Sequence, residues 1–318
     1  MKTNRDLIKT KRFAEKVAVN ILRYLFLIAF SYVLLCPLIY ILANVFKDPK
    51  EFYDPTIIWV PKHFSINGLK HAVTGLKLKE TLPNTLLYEM VAAGIEIFSC
   101  AVAAYGLARY NFKGKKAVIV LMMLTILVPV NMIIIPSYVN FQYMDFLGIL
   151  GGLGKLIGTE LRPQLIDTPF VFWLPSVCAV GLKGGFFIYI YMQFFKGLPK
   201  ELEEAAWIDG AGSWRTFMTI IMPSSGVAML TVSLFSFVWH WNDYYLASMY
   251  LLENVTLCVQ LSRLPINLSG MGSVEDAASG LGVGIMAGCL IFILPMLILY
   301  LILQKRFISS IANTGIVG

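Results

Sequence analysis

Residues 198–223 read LPKELEEAAWIDGAGSWRTFMTIIMP, an acidic stretch set between two apolar runs that holds four of the chain's nineteen acids. Pro199 suits a first helical position, and Glu201, Glu203 and Glu204 follow where the positive end of a helix dipole favours anions. Ala205 and Ala206 are small enough to let another surface approach closely. Gly210 and Gly212 give a stop where the backbone can turn, and Ser213 can cap a new helix running into the next apolar stretch. The spacing predicts a short acidic helix, about residues 199–212, parked outside a bilayer between two spans. The competing reading is a solvated connector, since charge runs usually are solvated faces.

Outward from there, composition sets the class. Apolar residues make up 58% of the 318 and charged residues 14%, with a mean hydropathy of +0.71; soluble domains hold roughly 45–50% and about 25%. The chain reads as an all-α integral membrane protein. Cys36, Cys100, Cys178, Cys258 and Cys289 are scattered without CxxC spacing and read as small hydrophobes. His63, His71 and His240 make no zinc pattern, and no GxxxxGKS loop is present. ATP binding of the usual kind is therefore left to a partner.

Residues 1–20 carry Arg5, Lys9, Arg12 and Lys16 on one helical face, as a basic amphipathic segment on an anionic membrane surface would. Nucleic-acid binding is the weaker reading. Six apolar runs follow within 21–318: Ile21–Phe46, Leu82–Ala108, Ala117–Val139, Pro169–Phe195, Trp214–Trp239 and Gly280–Leu303. The first is too long for a signal-peptide core, so it is expected to stay as a span. With the N-terminus inside, the inner segments hold 16 Lys and Arg and the outer ones 9. That excess favours both termini in the cytoplasm. The same orientation puts the acidic helix there.

Glu204-Ala205-Ala206, then Gly210, then Ile220-Ile221-Met222-Pro223, in that order and spacing, resembles the EAA signature of permease subunits in bacterial ATP-binding-cassette importers. Met222 replaces the family's usual Leu, a volume-conserving change. Ala103 to Tyr110 with the basic turn at 112–116, Leu124 to Tyr138, and Trp241-Asn242-Asp243-Tyr244 resemble its maltose-type carbohydrate branch. The resemblance runs from about Asn84 to Arg306. It implies a type I importer permease with six transmembrane helices in the bacterial cell membrane. The coupling helix, with Glu204, Ala205, Ala206, Asp209 and Gly210, would dock on one of two ATP-hydrolysing subunits. Those subunits would bind ATP and Mg, and this chain no cofactor or metal. A second, homologous permease and an extracellular solute-binding protein complete the implied assembly; the outer stretch 148–168 departs from the family by its length.

Polar groups inside a bilayer mark a site or a buried pair. Glu89 and Glu96 lie seven apart on nearly one helical face. Counting residues from the outer ends of their runs puts Glu96 and Lys183 at similar depth, so an ion pair or one shared hydrated cavity is expected. Lys183-Gly184-Gly185 interrupts its run, as a locally unwound or closely packed helix would. Trp239, Trp241, Asn242 and Asp243 could form an interfacial belt or line a vestibule for sugars, whose flat C–H faces suit aromatic rings and whose hydroxyls suit Asn and Asp. Asn84, Asn131 and Gln142 are weaker candidates. Tyr250–Ser279 reads as a long flexible outer loop, with Arg263, Pro265, Asn267 and Gly270 either solvated or, by the resemblance, facing the binding protein. The resemblance makes the chain a sugar-importer permease working by alternating access, with no bond made or broken. The alternative is a self-sufficient secondary transporter or channel relaying protons through Glu89 and Glu96. No HExxH, GxSxG or paired intramembrane aspartates favour an enzyme.

Overall fold

The computed structural model describes residues 2–145, 148–159, 162–270 and 274–314, and among them it is all helix apart from one isolated bridge between Lys47 and Phe64. The chain forms two compact units, one of residues 1–73 and 265–290, the other of 74–264 and 291–318.

In the first unit the basic segment and the first apolar run make one helix, Lys2–Val45, with no break near residue 20. The most apolar 18-residue window of its membrane-length portion, Glu15–Val45, holds no buried residue, and only at its end do Asn44 and Val45 become buried. Beyond it residues 46–65 fold back on the helix end. Lys47 is buried and its ammonium donates to the carbonyls of Ile57 at 2.5 Å and Ile58 at 3.0 Å. The Phe64 ring stacks on Phe46, and the Ser65 N–H reaches the Phe46 carbonyl. Glu51 accepts the backbone N–H groups of Lys62 and His63 and pairs with the His63 ring. Burial opposes the charge on Glu51, but these donors outweigh it and hold the carboxyl below its ordinary value.

The second unit is built around the helix Leu78–Arg109. Ala92, Ala93, Cys100, Ala101 and Ala104 are fully buried on it. Such small residues let the Gly184–Gly197 and Gly226–Trp241 helices come close, as helices inside membranes require. Phe187, Tyr191, Met192, Phe195, Phe217 and Ile221 fill the space around Tyr105. A smaller cluster joins Tyr88, Phe172, Tyr250 and Val259. Trp241 is buried and its indole N–H donates to the Phe292 carbonyl at 3.0 Å.

The apolar runs are not six straight helices. Three described helices are long and apolar enough to cross a membrane: Glu15–Val45, Leu78–Arg109 and Leu281–Lys305. Lys115–Leu127 with Val130–Gln142 qualifies only as a pair bent by 104°, and Ser213–Ser224 with Gly226–Trp241 as a pair bent by 81°. The first bend falls where Val128 is extended before Pro129, the conformation a following proline imposes. The run expected as the fourth span is broken: one helix covers Phe170–Val177, the next starts at Gly184, and Ala179 and Lys183 between them are left-handed.

Two stretches expected as outer loops hold more structure than expected. The described part of 148–168 contains the helix Ile149–Ile157, and Arg162 pairs with Asp145 at 3.2 Å; residues 160–161 lie outside the described residues. The expected flexible loop is largely the helix Leu257–Ser269, with Leu257, Gln260, Leu264 and Leu268 buried at helical spacing. Of that loop, 271–273 lie outside the described residues, as do 315–318 of the C-terminal tail.

Candidate functional site

The acidic stretch folds as the helix Glu201–Ile208. Its three acids do not share a face. Glu203 and Ala206, three apart, turn inward, whereas Glu201, Glu204, Ala205, Asp209 and Gly210 are exposed. Leu202, Trp207 and Ile208 are exposed beside them, Ile208 at 86%. Gly210 ends the helix with φ 79°, a conformation that favours glycine, while the Ala211 N–H closes on the Ala206 carbonyl. Ala206 therefore packs within the chain, and only Ala205 of the two alanines offers a free small surface.

What holds this helix is Arg109, the last residue of the long helix. Its Nε lies 2.9 Å from a Glu203 carboxylate oxygen, with the two side chains only 6% and 4% exposed. The N–H is not aimed at that oxygen, so the contact is an ion pair and not a linear hydrogen bond. One Nη donates to the Leu198 carbonyl at 2.9 Å, tying down the turn before the acidic helix. Sequence reasoning read Arg109 only as part of the stretch Ala103 to Tyr110 and as one of the inner cations. The helical spacing of Glu203 with Ala206 was the signal that one acid faces inward.

A cavity of about 690 Å³ opens between Lys115–Leu127, Val130–Gln142 and the broken 170–185 segment. Its lining is mostly apolar, with Thr125, Ser137, Ser176, Lys183, His240 and Tyr250 as polar members. Lys183 is exposed, and its ammonium stands 6.0 Å from the centre of the Trp239 ring. The expected Glu96–Lys183 ion pair does not form. Glu96 is fully buried, and its carboxylate lies 3.5 Å from His240 Nε2. The other ring nitrogen of His240 faces the Ser236 carbonyl at 2.9 Å, and a carbonyl can only accept, so Nδ1 carries a proton. Glu96 therefore faces the Nε2 edge of a ring whose Nδ1–H is already spent on the Ser236 carbonyl.

Behind the break, Glu96 packs against backbone. A Cβ at Gly181 would sit 2.7 Å from a Glu96 oxygen and 2.8 Å from the Ser176 hydroxyl, and one at Gly184 would sit 2.5 Å from the Ala179 carbonyl. The Lys183-Gly184-Gly185 interruption is thus both unwound and closely packed. Glu89 is buried and within electrostatic reach of Glu96 and Asp243. Asp243 is buried and accepts the Leu246 N–H; Asn242 is exposed, and Trp239 is half-buried against Phe186, Phe187 and Phe235. Asn84 is half-buried and contacts the Val255 carbonyl; Asn131 is exposed. The buried Gln142 oxygen has no partner. Arg263, Pro265 and Gly270 are exposed and Asn267 half-buried. The structure brings together Glu89, Glu96 and Asp243 in the interior, whereas Asn131 and Asn242 are exposed.

Residues 97–313 match the family described as binding-protein-dependent transport system inner membrane component. The chain belongs to this family. The permease is 26% identical over 288 residues to the diacetylchitobiose uptake system permease protein NgcG of Streptomyces coelicolor, covering 90% of this chain and 85% of that one. It is 29% identical over 286 residues to the probable starch degradation products transport system permease protein AmyC of Thermoanaerobacterium thermosulfurigenes, covering 89% and 92%. Against the polygalacturonan/rhamnogalacturonan transport system permease protein YtcP of Bacillus subtilis the identity is 27% over 295 residues, covering 91% and 94%. The permease shares its fold with a chain of a bacterial ABC transporter involved in the import of the acidic polysaccharide alginate, at a TM-score of 0.71 and 19% identity over 91% of this chain and 96% of that one.

Proposed function

We propose that the permease is the membrane-spanning subunit of an ATP-binding-cassette importer that moves a sugar or oligosaccharide into the cytoplasm by ATP-driven alternating access. Family membership and relatives named for chitobiose, starch products and pectic polysaccharides support the substrate class. The observation that carries the mechanism is the acidic helix, locked to Arg109 on one face and offering Glu204, Ala205, Trp207 and Ile208 on the other. That open face suits docking in a cleft of an ATPase subunit, with Glu204 and Asp209 as charged contacts and Gly210 as the turn.

In this reading the six apolar runs cross the membrane six times, bent or broken, and the excess of Lys and Arg on the inner segments puts both termini and the acidic helix inside. The basic segment 1–20 lies on the cytoplasmic side. Two ATPase subunits bind ATP and magnesium, a homologous permease completes the pathway, and an extracellular solute-binding protein delivers the solute. The Leu257–Ser269 helix, with Arg263, Pro265 and Asn267, and Gly270 just beyond it, faces that binding protein. The cavity beside Lys183 belongs to the solute pathway, with Glu89, Glu96, Asp243 and Trp239 in or behind its wall.

Uptake of diacetylchitobiose, a starch oligosaccharide and a pectic fragment by vesicles holding the full assembly tests this. ATP-dependent uptake of at least one, lost in Glu204→Lys while the chain stays in the membrane, is expected. Uptake into ATP-depleted vesicles holding this chain alone would overturn the proposal in favour of a self-sufficient transporter.

A further inference from the structure

Arg109 and Glu96 sit on one helix, 13 residues apart, which at 1.5 Å per residue separates them by about 20 Å. At one end Arg109 grips the acidic helix through Glu203 and the Leu198 carbonyl. At the other, Glu96 fills the space under Gly181 and Gly184, where the backbone breaks beside the cavity, and meets His240 across it. Between these points the helix is packed against Gly184–Gly197 by buried small residues, so it moves as a stiff body and not as a hinge.

A buried ion pair is a poor source of stability, because desolvation of both charges offsets most of their attraction. Stability alone gives no reason for Arg109 and Glu203 to be charged. A directional, two-point grip on a helix that must be pushed and pulled does.

We propose that Arg109 is a positioning residue that couples the acidic helix to the cavity: through Glu203 and the Leu198 carbonyl, displacement of the acidic helix is passed along Leu78–Arg109 to the Ala179–Lys183 break. This rests on the reading of the acidic helix as the ATPase docking element. Without the Arg109 grip the ATPase subunits still bind the exposed face of Glu204, but their closure no longer alters the cavity wall.

Native Cys178 is exposed and lines the cavity, which makes it the reporter. The assembled transporter, with the other four cysteines of this chain replaced by alanine, is reacted with a water-soluble maleimide with and without ATP and vanadate, and labelling of this chain is read by mass spectrometry. In the otherwise unchanged chain, trapping alters the Cys178 rate by at least about fivefold, the lower end of ordinary coupling between sites. Arg109→Gln and Glu203→Gln each cut that response below about twofold with the ATPase subunits still bound, and the double variant is no worse than either single, because both act through one contact. Arg109→Lys, which keeps the charge, retains more than about half the response.

A full response in either Gln variant overturns the proposal. So does a response lost only because the ATPase subunits have dissociated, which a purely structural role produces. A Cys178 rate in the unchanged chain that ignores ATP and vanadate overturns the docking reading itself, a separate outcome.

Discussion

Replacing Gly181 by alanine puts a methyl group where the structure has no room for it. Built on the present backbone, the new Cβ lies 2.7 Å from a Glu96 oxygen, 2.8 Å from the Ser176 hydroxyl and 3.1 Å from the Glu96 carboxyl carbon, whereas ordinary contact begins at 3.4 Å. The Glu96 carboxyl must therefore retreat by about 0.7 Å, and it is fully buried with His240 already 3.5 Å away. Overpacking of this kind costs about 1–3 kcal/mol. Unfolding of the purified chain in mixed micelles, titrated with a denaturing detergent, measures that loss. Adding Ser176→Ala recovers part of it and adding Glu96→Ala most of it, because each removes one of the two obstacles. A Gly181→Ala chain within about 0.5 kcal/mol of the original, the range of harmless surface changes, would refute the placement of Glu96 against the break.

Three other outcomes are expected. Trp241→Phe removes the indole N–H that reaches the Phe292 carbonyl, and the same titration detects a loss of about 0.6 kcal/mol, rising to about 1.7 if the bond is among the strongest measured inside membranes. Asp167→Ala strips one carboxylate oxygen from the N–H groups of Leu252, Glu253 and Asn254 and strains a left-handed position, so those three amides exchange hydrogen faster; unchanged exchange contradicts the cap. The fold of residues 46–65 depends on ionised Glu51. Its carboxyl is held below the ordinary 4.5, so the support it gives is complete above that pH and fades as pH falls through the lowered value. Trp59 emission follows that loosening, and Glu51→Gln abolishes its pH dependence.

Much of this architecture was legible in the residues. The order of Glu204-Ala205-Ala206, Gly210 and Pro223 identified the helix Glu201–Ile208, and Lys183-Gly184-Gly185 marked the break. The Glu96–Lys183 ion pair failed although the depth count was sound, since Gly181 and Gly184 on either side of Lys183 lie against Glu96: the left-handed Lys183 is exposed at the cavity while Glu96 is buried behind the break. Which face of a helix Glu96 occupies was readable; that His240, on a distant helix, would meet it was not, since periodicity names no partner. Leu257, Gln260, Leu264 and Leu268 do repeat at helical spacing, but Pro265, Gly270 and Gly272 read more strongly as breakers. Pro265 is accommodated inside that helix all the same.

The burial of Glu89 and Glu96 also sets a schedule for biogenesis. A charge at the middle of an inserting helix costs about 2.5–3.5 kcal/mol, and Leu78–Arg109, with Glu89 and Glu96 in its interior, has the lowest mean hydropathy of the three unbroken membrane-length helices, 1.7 against 2.5 and 2.7. His240 is made 144 residues after Glu96, roughly 7–30 s later at ordinary synthesis rates. For that interval the nascent helix carries Glu96 without the histidine that meets it in the finished fold.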